Sequence, residues 1–455
     1  MAYPAAPGQF AEDEPRPTIG TFDAVALIVG IVVGAAIFET PSLVAANSTG
    51  PAMMLGAWLL GGLVSILGAL CYAELASAFP HAGGDYHYLR RAYGNRVAFL
   101  FAWARMSVIQ TGSIALLAFV FGDYMTQLFR IGTFSPSIYA ALAVIVLTAL
   151  NVAGIRQSKG SQRWLTSAQV LGILVLITAG LLIASPASSA AAGDAGAGPS
   201  RSAFGLVMVF VLLTYGGWNE AAYLSAELQG GRRSIVRVLA ISIGIITAIY
   251  VLFNLTLLHL MTREQIATSE AIGADLMRLV AGDTGAVLMS LLVSASALSS
   301  VNAVILTGGR SSFAMGRDFP AFAWLGRWSG RGDTPRNALI IQGAIALALV
   351  GLGTSTRSGF KTMVDYTAPV FWLFLLLTAI SLFVLRRRDP DRERPFRVPL
   401  YPVVPILFAM TCAYLLYSSL AYTGLGAGFG VVVLLVGGAV LLVVDRRKTS
   451  PAPGS

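Results

Sequence analysis

Stretches of about twenty apolar residues recur along the whole chain, and several of them hold no charged side chain at all. Segments 136–153, 164–184, 238–261 and 426–444 are of this kind. Crossing roughly 30 Å of hydrocarbon takes about 20 such residues. Each crossing must also satisfy its own backbone hydrogen bonds, which an α-helix does. Composition agrees: 56% of the 455 residues are hydrophobic and only 12% charged, with a mean hydropathy of +0.73. Soluble domains carry about 25% charged residues, so a water-soluble globule, a coiled coil or a disordered chain is excluded. Two cysteines, Cys71 and Cys412, exclude a disulfide scaffold. The chain is an all-α integral membrane protein.

Twelve transmembrane helices are predicted, over 22–46, 51–79, 97–127, 136–153, 164–184, 203–227, 238–261, 284–315, 337–353, 362–385, 403–423 and 426–444. The third and eighth are long enough to tilt or protrude. Lys and Arg set the orientation. With the amino terminus inside, 24 of them fall in inner loops, including Arg90, Arg91, Arg232, Arg233 and the run Arg386-Arg387-Arg388, against six in outer ones. Both termini are therefore expected to be cytoplasmic. This asymmetry accounts for the net charge of +9 without a nucleic-acid partner. Residues 1–20, Pro-rich and acidic at Glu12, Asp13 and Glu14, do not read as a signal peptide and are assigned to a cytoplasmic tail, as are 445–455. The largest outer insertions are 185–201, rich in Ala, Gly and Ser, and 262–283. The latter opens with the capping-box spacing Thr262-Arg-Glu-Gln265, which predicts short helices lying over the outer face.

Two spans are interrupted alike. In span 1, Gly30-Ile-Val-Val-Gly34-Ala35-Ala36-Ile37-Phe38 runs into Glu39-Thr40-Pro41. In span 6, Thr214-Tyr-Gly216-Gly-Trp-Asn219-Glu220 sits inside an apolar stretch. Small and polar residues weaken a helix there, and unpaired backbone in the membrane survives only where it lines a cavity. Close helix packing by small residues explains one such run equally well. A pair separated by five spans crosses in opposite senses, as in an inverted repeat whose broken helices meet at a central site.

These stretches resemble the amino acid–polyamine–organocation superfamily, and within it the L-type amino-acid transporters. The similarity lies in Gly34-Ala-Ala-Ile-Phe38, in Cys71-Tyr-Ala-Glu-Leu75 through Pro80 to Gly83-Gly-Asp-Tyr86, and in Tyr215-Gly-Gly-Trp-Asn219 with Glu227 following. The resemblance implies a LeuT-like five-plus-five inverted repeat with broken helices 1 and 6. The first repeat would occupy 21–185 (spans 1–5), the second 201–385 (spans 6–10), with spans 11 and 12 in 386–444. It implies a substrate carboxylate at the amides of Gly34, Ala35 and Ala36, beside Ile37. The ammonium would meet carbonyls of Val32, Leu213 and Gly216, with Thr214 and Asn219 nearby. Ile109, Gln110 and Ser113 of span 3 would line the pocket. A half-helix N-terminus suits a carboxylate and unwound carbonyls suit an ammonium, so a zwitterion needs no charged side chain.

The sequence also departs from the family pattern. Ala35 and Ala36 replace Ser and Gly, and Leu213 stands where an aromatic often closes over the substrate. Gln169 occupies a position where many relatives carry a Lys tied to sodium or proton coupling. The outer loop 129–136 lacks the Cys by which some relatives hold a heavy chain, so no disulfide-linked heavy chain is expected.

Charges within spans are costly and mark function. Arg105, about nine residues into span 3, fits either an ion pair that changes partner during gating or a permanent structural pair, with Glu74, Glu220 or Glu227 as partners. Glu39 and Glu220 follow the two breaks and are candidates for proton uptake. Asp23 and Asp123 lie near span ends and are expected to be solvated. Ser294, Ser296, Ser299, Ser300 and Asn302 offer oxygens either to a sodium ion or to neighbouring backbone. His81, His87 and His259 are isolated and non-catalytic. No phosphate-binding Gly-rich loop, His-Glu-x-x-His run or paired His suggests an enzyme, a metal or another cofactor. The expected function is transport or exchange of small amino acids across the plasma membrane by alternating access. A polyamine or organic-cation permease and a non-transporting amino-acid sensor of the same fold are the alternatives.

Overall fold

The computed structural model describes residues 20–81, 83–154, 159–182, 201–220, 234–330, 333–422 and 424–449. Helices account for nearly all of this; the only extended pairing among the described residues is one bridge between Ser329 and Thr334. A helix lies on each of the twelve expected spans. Eight helices among the described residues are long and apolar enough to cross a membrane, from Pro51–Ala78 to Val403–Ala421. The chain is a multi-pass membrane protein.

Span 1 is two helices, α1 (Thr21–Val32) and α2 (Thr40–Asn47), separated by extended backbone at Gly34 and a 3₁₀ turn over Ala35–Phe38. Helix α3 (Pro51–Ala78) starts with Pro at its first position, where no intrahelical N–H bond is lost. It presents Gly61, Gly62 and Gly68 to its neighbours. A Cβ at Gly62 would collide with Thr247 of the helix Ser234–Leu260, so the two backbones approach as closely as small residues permit. The amphipathic α4 (Gly84–Tyr93) precedes α5 (Asn95–Leu128), which carries a π-helical turn at Arg105–Ile109. The long eighth span, 284–315, lies whole within one helix, and a separate short helix precedes it. Ile272–Asp318 bends at Ala281 and Gly282, the latter at φ +66°, leaving 272–280 as a short helix before the spanning 283–318. The predicted capping box is present: the Thr262 side chain accepts from the Gln265 amide, and the Gln265 side chain accepts from the Thr262 amide, starting helix Arg263–Thr268.

The two ends of the bundle differ in chemistry. At the Arg-rich end, Glu74 is wholly buried and accepts two bonds from Arg386, one of them at 2.7 Å. It also accepts the Val398 amide at 2.7 Å and lies 3.5 Å from Arg394. Arg91 pairs with Asp389 at 2.9 Å, and the Tyr86 hydroxyl donates to Asp318. At the opposite end, Arg263 donates to the carbonyls of Ala45 and Ser48 and so caps α2. Tyr124 donates to the Phe38 carbonyl and accepts the Gly273 amide, fastening the 272–280 helix over the span 1 break.

Candidate functional site

The sequence places two breaks five spans apart, and the structure brings them together. Helix Arg201–Thr214 ends in a turn over 215–217, followed by a 3₁₀ turn at Trp218–Glu220. Gly217 has φ +109°, in the left-handed region that favours glycine. A Cβ there would touch Ile31 and Val32, so the second break rests directly on the end of α1. The Thr40 and Thr214 hydroxyls are hydrogen-bonded at 2.7 Å, joining the far side of one break to the near side of the other.

A third helix holds both. Tyr250, in Ser234–Leu260, donates through its hydroxyl to the Val32 carbonyl at 2.8 Å and lies 3.2 Å from the Thr214 carbonyl. Nothing in the sequence marked Tyr250, and Thr40 showed only as part of the first break. The Val32 carbonyl also accepts the Gly34 amide, and the Leu213 carbonyl accepts the Gly216 amide at 3.0 Å. The helix ends that were expected to receive an ammonium are thus engaged by the protein's own donors in this conformation. Gly34 and Ala36 are half-buried, whereas Ala35, Ile37 and Phe38 are shut away. A Cβ built on Gly34 meets only Ile31 and Val32 carbonyls at 3.8 and 3.9 Å, so packing does not demand glycine there. The first amides of a 3₁₀ turn lack partners within the turn, which leaves the Ala35–Phe38 segment with the free donors a carboxylate needs.

The 35–38 turn packs against the part of α5 that begins at Gln110 and against Ile272–Asp318. Gln110 is buried, Ile109 and Ser113 are half-buried, and the Ser113 hydroxyl is spent on the Ile109 carbonyl. On the side of span 6, Leu213 is half-buried and Asn219 buried, with its side chain accepting from the Gly217 amide. Beside Gly216 and Asn219 lies a narrow crevice walled by Leu212, Trp218, Trp372 and Phe408, with free space of about 10 Å³, room for about one water molecule. Among the described residues, the buried Trp372 indole N–H has no partner there.

The remaining candidates fall elsewhere. Gln169 is buried and accepts the Ser296 hydroxyl, tying span 5 to span 8. Ser299 is buried and Ser300 half-buried, while Asn302 accepts from Asn151 at 2.6 Å. Arg105 opens the π-helical turn, a feature common at functional positions. Glu74, one of its expected partners, is engaged by Arg386 and Arg394. The Glu220 side chain and all of Glu227 lie outside the described residues. Glu39 is buried between α2 and the 3₁₀ turn. Two expectations are corrected. Asp123 is half-buried rather than solvated, and it lies within electrostatic reach of Glu39. His81 and His87 are not isolated, because their rings stack 4.2 Å apart. No group of His, Cys, Asp or Glu suited to a metal occurs among the described residues.

Residues 19–441 match the family model described as amino acid permease. The chain is 29% identical over 422 residues to the b(0,+)-type amino acid transporter 1 of Homo sapiens, covering 89% of this chain and 84% of that protein. It is 28% identical over 435 residues to the serine/threonine exchanger SteT of Bacillus subtilis (strain 168), covering 95% and 98%. Against the cystine/glutamate transporter of Homo sapiens it is 27% identical over 419 residues, covering 91% and 82%.

Proposed function

The chain belongs to the amino acid permease family, and on that footing we propose that it is a secondary transporter that exchanges neutral amino acids across the plasma membrane by alternating access. The meeting of the two helix breaks at Thr40, Thr214 and Tyr250 carries this proposal. Such a junction gives one substrate two helix ends of opposite partial charge, which is what a zwitterion requires. The twelve helices cross the membrane with both termini inside, following the Arg-rich loops. They form two inverted repeats, 21–185 and 201–385, with 386–444 peripheral.

The carboxylate binds at Gly34, Ala35 and Ala36. The ammonium displaces the internal donors at the Val32 and Leu213 carbonyls as the breaks adjust and meets the Gly216 carbonyl, with Ile37, Thr214, Asn219, Ile109, Gln110 and Ser113 around it. The side chain of the substrate enters the cleft beside Gly216, whose aromatic walls favour apolar groups over charged ones. The crevice is closed down in this conformation and widens as the breaks adjust, admitting the side chain of a small or medium-sized amino acid. The neutral Gln169, bonded to Ser296, supplies no cation, so exchange rather than ion-driven uptake is proposed. The chain works without a disulfide-linked heavy chain, since loop 129–136 has no cysteine.

Uptake of each common amino acid into proteoliposomes, with and without internal amino acid, tests this. Stimulation by internal substrate supports exchange. Flux of diamines alone would favour the organic-cation alternative, and binding without any flux would favour a sensor.

A further inference from the structure

Glu39 is the one carboxylate placed directly in a helix break whose side chain the structure describes, and its setting is unusual. It follows the 3₁₀ turn Ala35–Phe38 and precedes α2. It is only 8% exposed, and its Oε1 is buried with no hydrogen-bond partner among the described residues. It stands before the first residue of α2, yet its side chain caps no amide there. Among the described residues, the charged and titratable groups of the surrounding elements give it no cation. From span 3 come Asp123 and Tyr124, and from the outer insertion Glu270 and Asp275. Glu264 is exposed on the neighbouring short helix. Glu270 is paired with Arg130, and Asp275 with Arg278 and Ser269. Arg263 is directed to the other end of α2, at Ala45 and Ser48. Spans 6 and 7 offer Thr214 and Phe253, which are uncharged.

A carboxylate oxygen withdrawn from water with no donor costs several kcal/mol, and protonation removes most of that cost. The break beside it is covered. The 272–280 helix is held over the break by Gly273–Tyr124–Phe38, and Phe38 packs edge-on against Tyr124 and Phe253.

We propose that Glu39 is a proton-binding site that couples acid to closure of the outer face. It is neutral when the 272–280 helix is seated and ionised when that helix lifts to admit substrate. The proton comes from the outer solution and returns to it, so no net proton movement accompanies exchange. External acid therefore slows exchange by holding the outer face shut.

This rests on the proposal that the protein exchanges amino acids, and one experiment separates the two. Exchange is measured in proteoliposomes as the outer pH is lowered from about 8 to about 5, for the wild type, Glu39→Gln and Glu39→Asp. Coupled sites commonly shift one another by roughly five- to a hundredfold. The wild type is expected to slow within that range, E39Q to stay near the slow rate at every pH, and E39D to retain the dependence with a displaced midpoint. An E39Q profile that follows the wild type, or a flat E39D profile, overturns the inference. A wild type that exchanges nothing rejects the transport proposal instead. Should E39Q not fold, infrared difference spectra of the wild type against E39D decide: a protonated-carboxyl band shifted by E39D supports the site, and an unshifted band overturns it.

Discussion

The Tyr250 hydroxyl donates to the Val32 carbonyl at 2.8 Å and lies 3.2 Å from that of Thr214. Val32 and Thr214 are the last helical residues before the two breaks. One phenol therefore neutralises two helix C-termini, each carrying partial negative charge.

Replacing Tyr250 by Phe leaves those carbonyls without this donor while preserving the ring contacts to Trp58 and Tyr215. The Val32 carbonyl keeps the Gly34 amide, so the loss is that of a hydrogen bond rather than of an orphaned acceptor, about 0.5–1.5 kcal/mol. Tyr250→Phe is expected to lower the melting temperature and to change the substrate KM for exchange. An unchanged melting temperature would show that the hydroxyl does not hold the breaks together.

Glu74 binds Arg386, Arg394 and the Val398 amide from a fully buried position. Removing one partner from a buried ion cluster costs about 3–5 kcal/mol, because the remaining charges stay desolvated. Glu74→Gln should therefore unfold at markedly lower temperature in detergent, and Arg386→Ala likewise. Stability equal to that of the wild type would mean that water reaches this end of the bundle.

His87 lies outside the spans, and its pKa is lowered to about 4, chiefly by burial and then by the neighbouring His81 and Arg91. Its free value is near 6.5. Above that pH the docked and undocked forms are both neutral, and docking is unpenalised. As pH falls from about 6.5 toward 4, the undocked form binds a proton that the docked form does not. Hydrogen exchange of 84–93, corrected for intrinsic rate, should thus accelerate over this window in the wild type. It should stay level in His87→Gln, and equal profiles would remove His87 as the cause.

Trp372, Trp218 and Phe408 wall the cleft beside Gly216. Trp372→Ala should weaken exchange of leucine-sized substrates about tenfold or more, through loss of roughly 1–3 kcal/mol of side-chain contact, while alanine exchange falls less. Equal losses for both substrates would place the side chain elsewhere.

The breaks were legible because Gly34-Ala-Ala and Tyr215-Gly-Gly interrupt otherwise apolar runs, and small or polar residues have few other uses in hydrocarbon. The capping box at Thr262 was legible for the same local reason. Tyr250 was not, since one hydroxyl in the run Ile249-Tyr250-Val251 carries no periodic or charge signal. Its role arises only when three helices converge. The stacking of His81 on His87 and the engagement of Glu74 by Arg386, 312 residues away, are likewise tertiary facts. Gly282, just ahead of the eighth span, sets the 272–280 helix apart from it, and the span itself stays long and unbroken.

The most direct test of the central claim is amino-acid binding to purified protein bearing Gly34→Ala or Gly34→Leu. The structure leaves room for a methyl group at Gly34, with carbonyl contacts no closer than 3.8 Å, so G34A should fold and still bind. G34L should fold, with a melting temperature near that of the wild type, and bind no amino acid, because its side chain fills the place assigned to the carboxylate. Undiminished binding by a folded G34L protein would contradict the account and put the substrate away from the helix breaks.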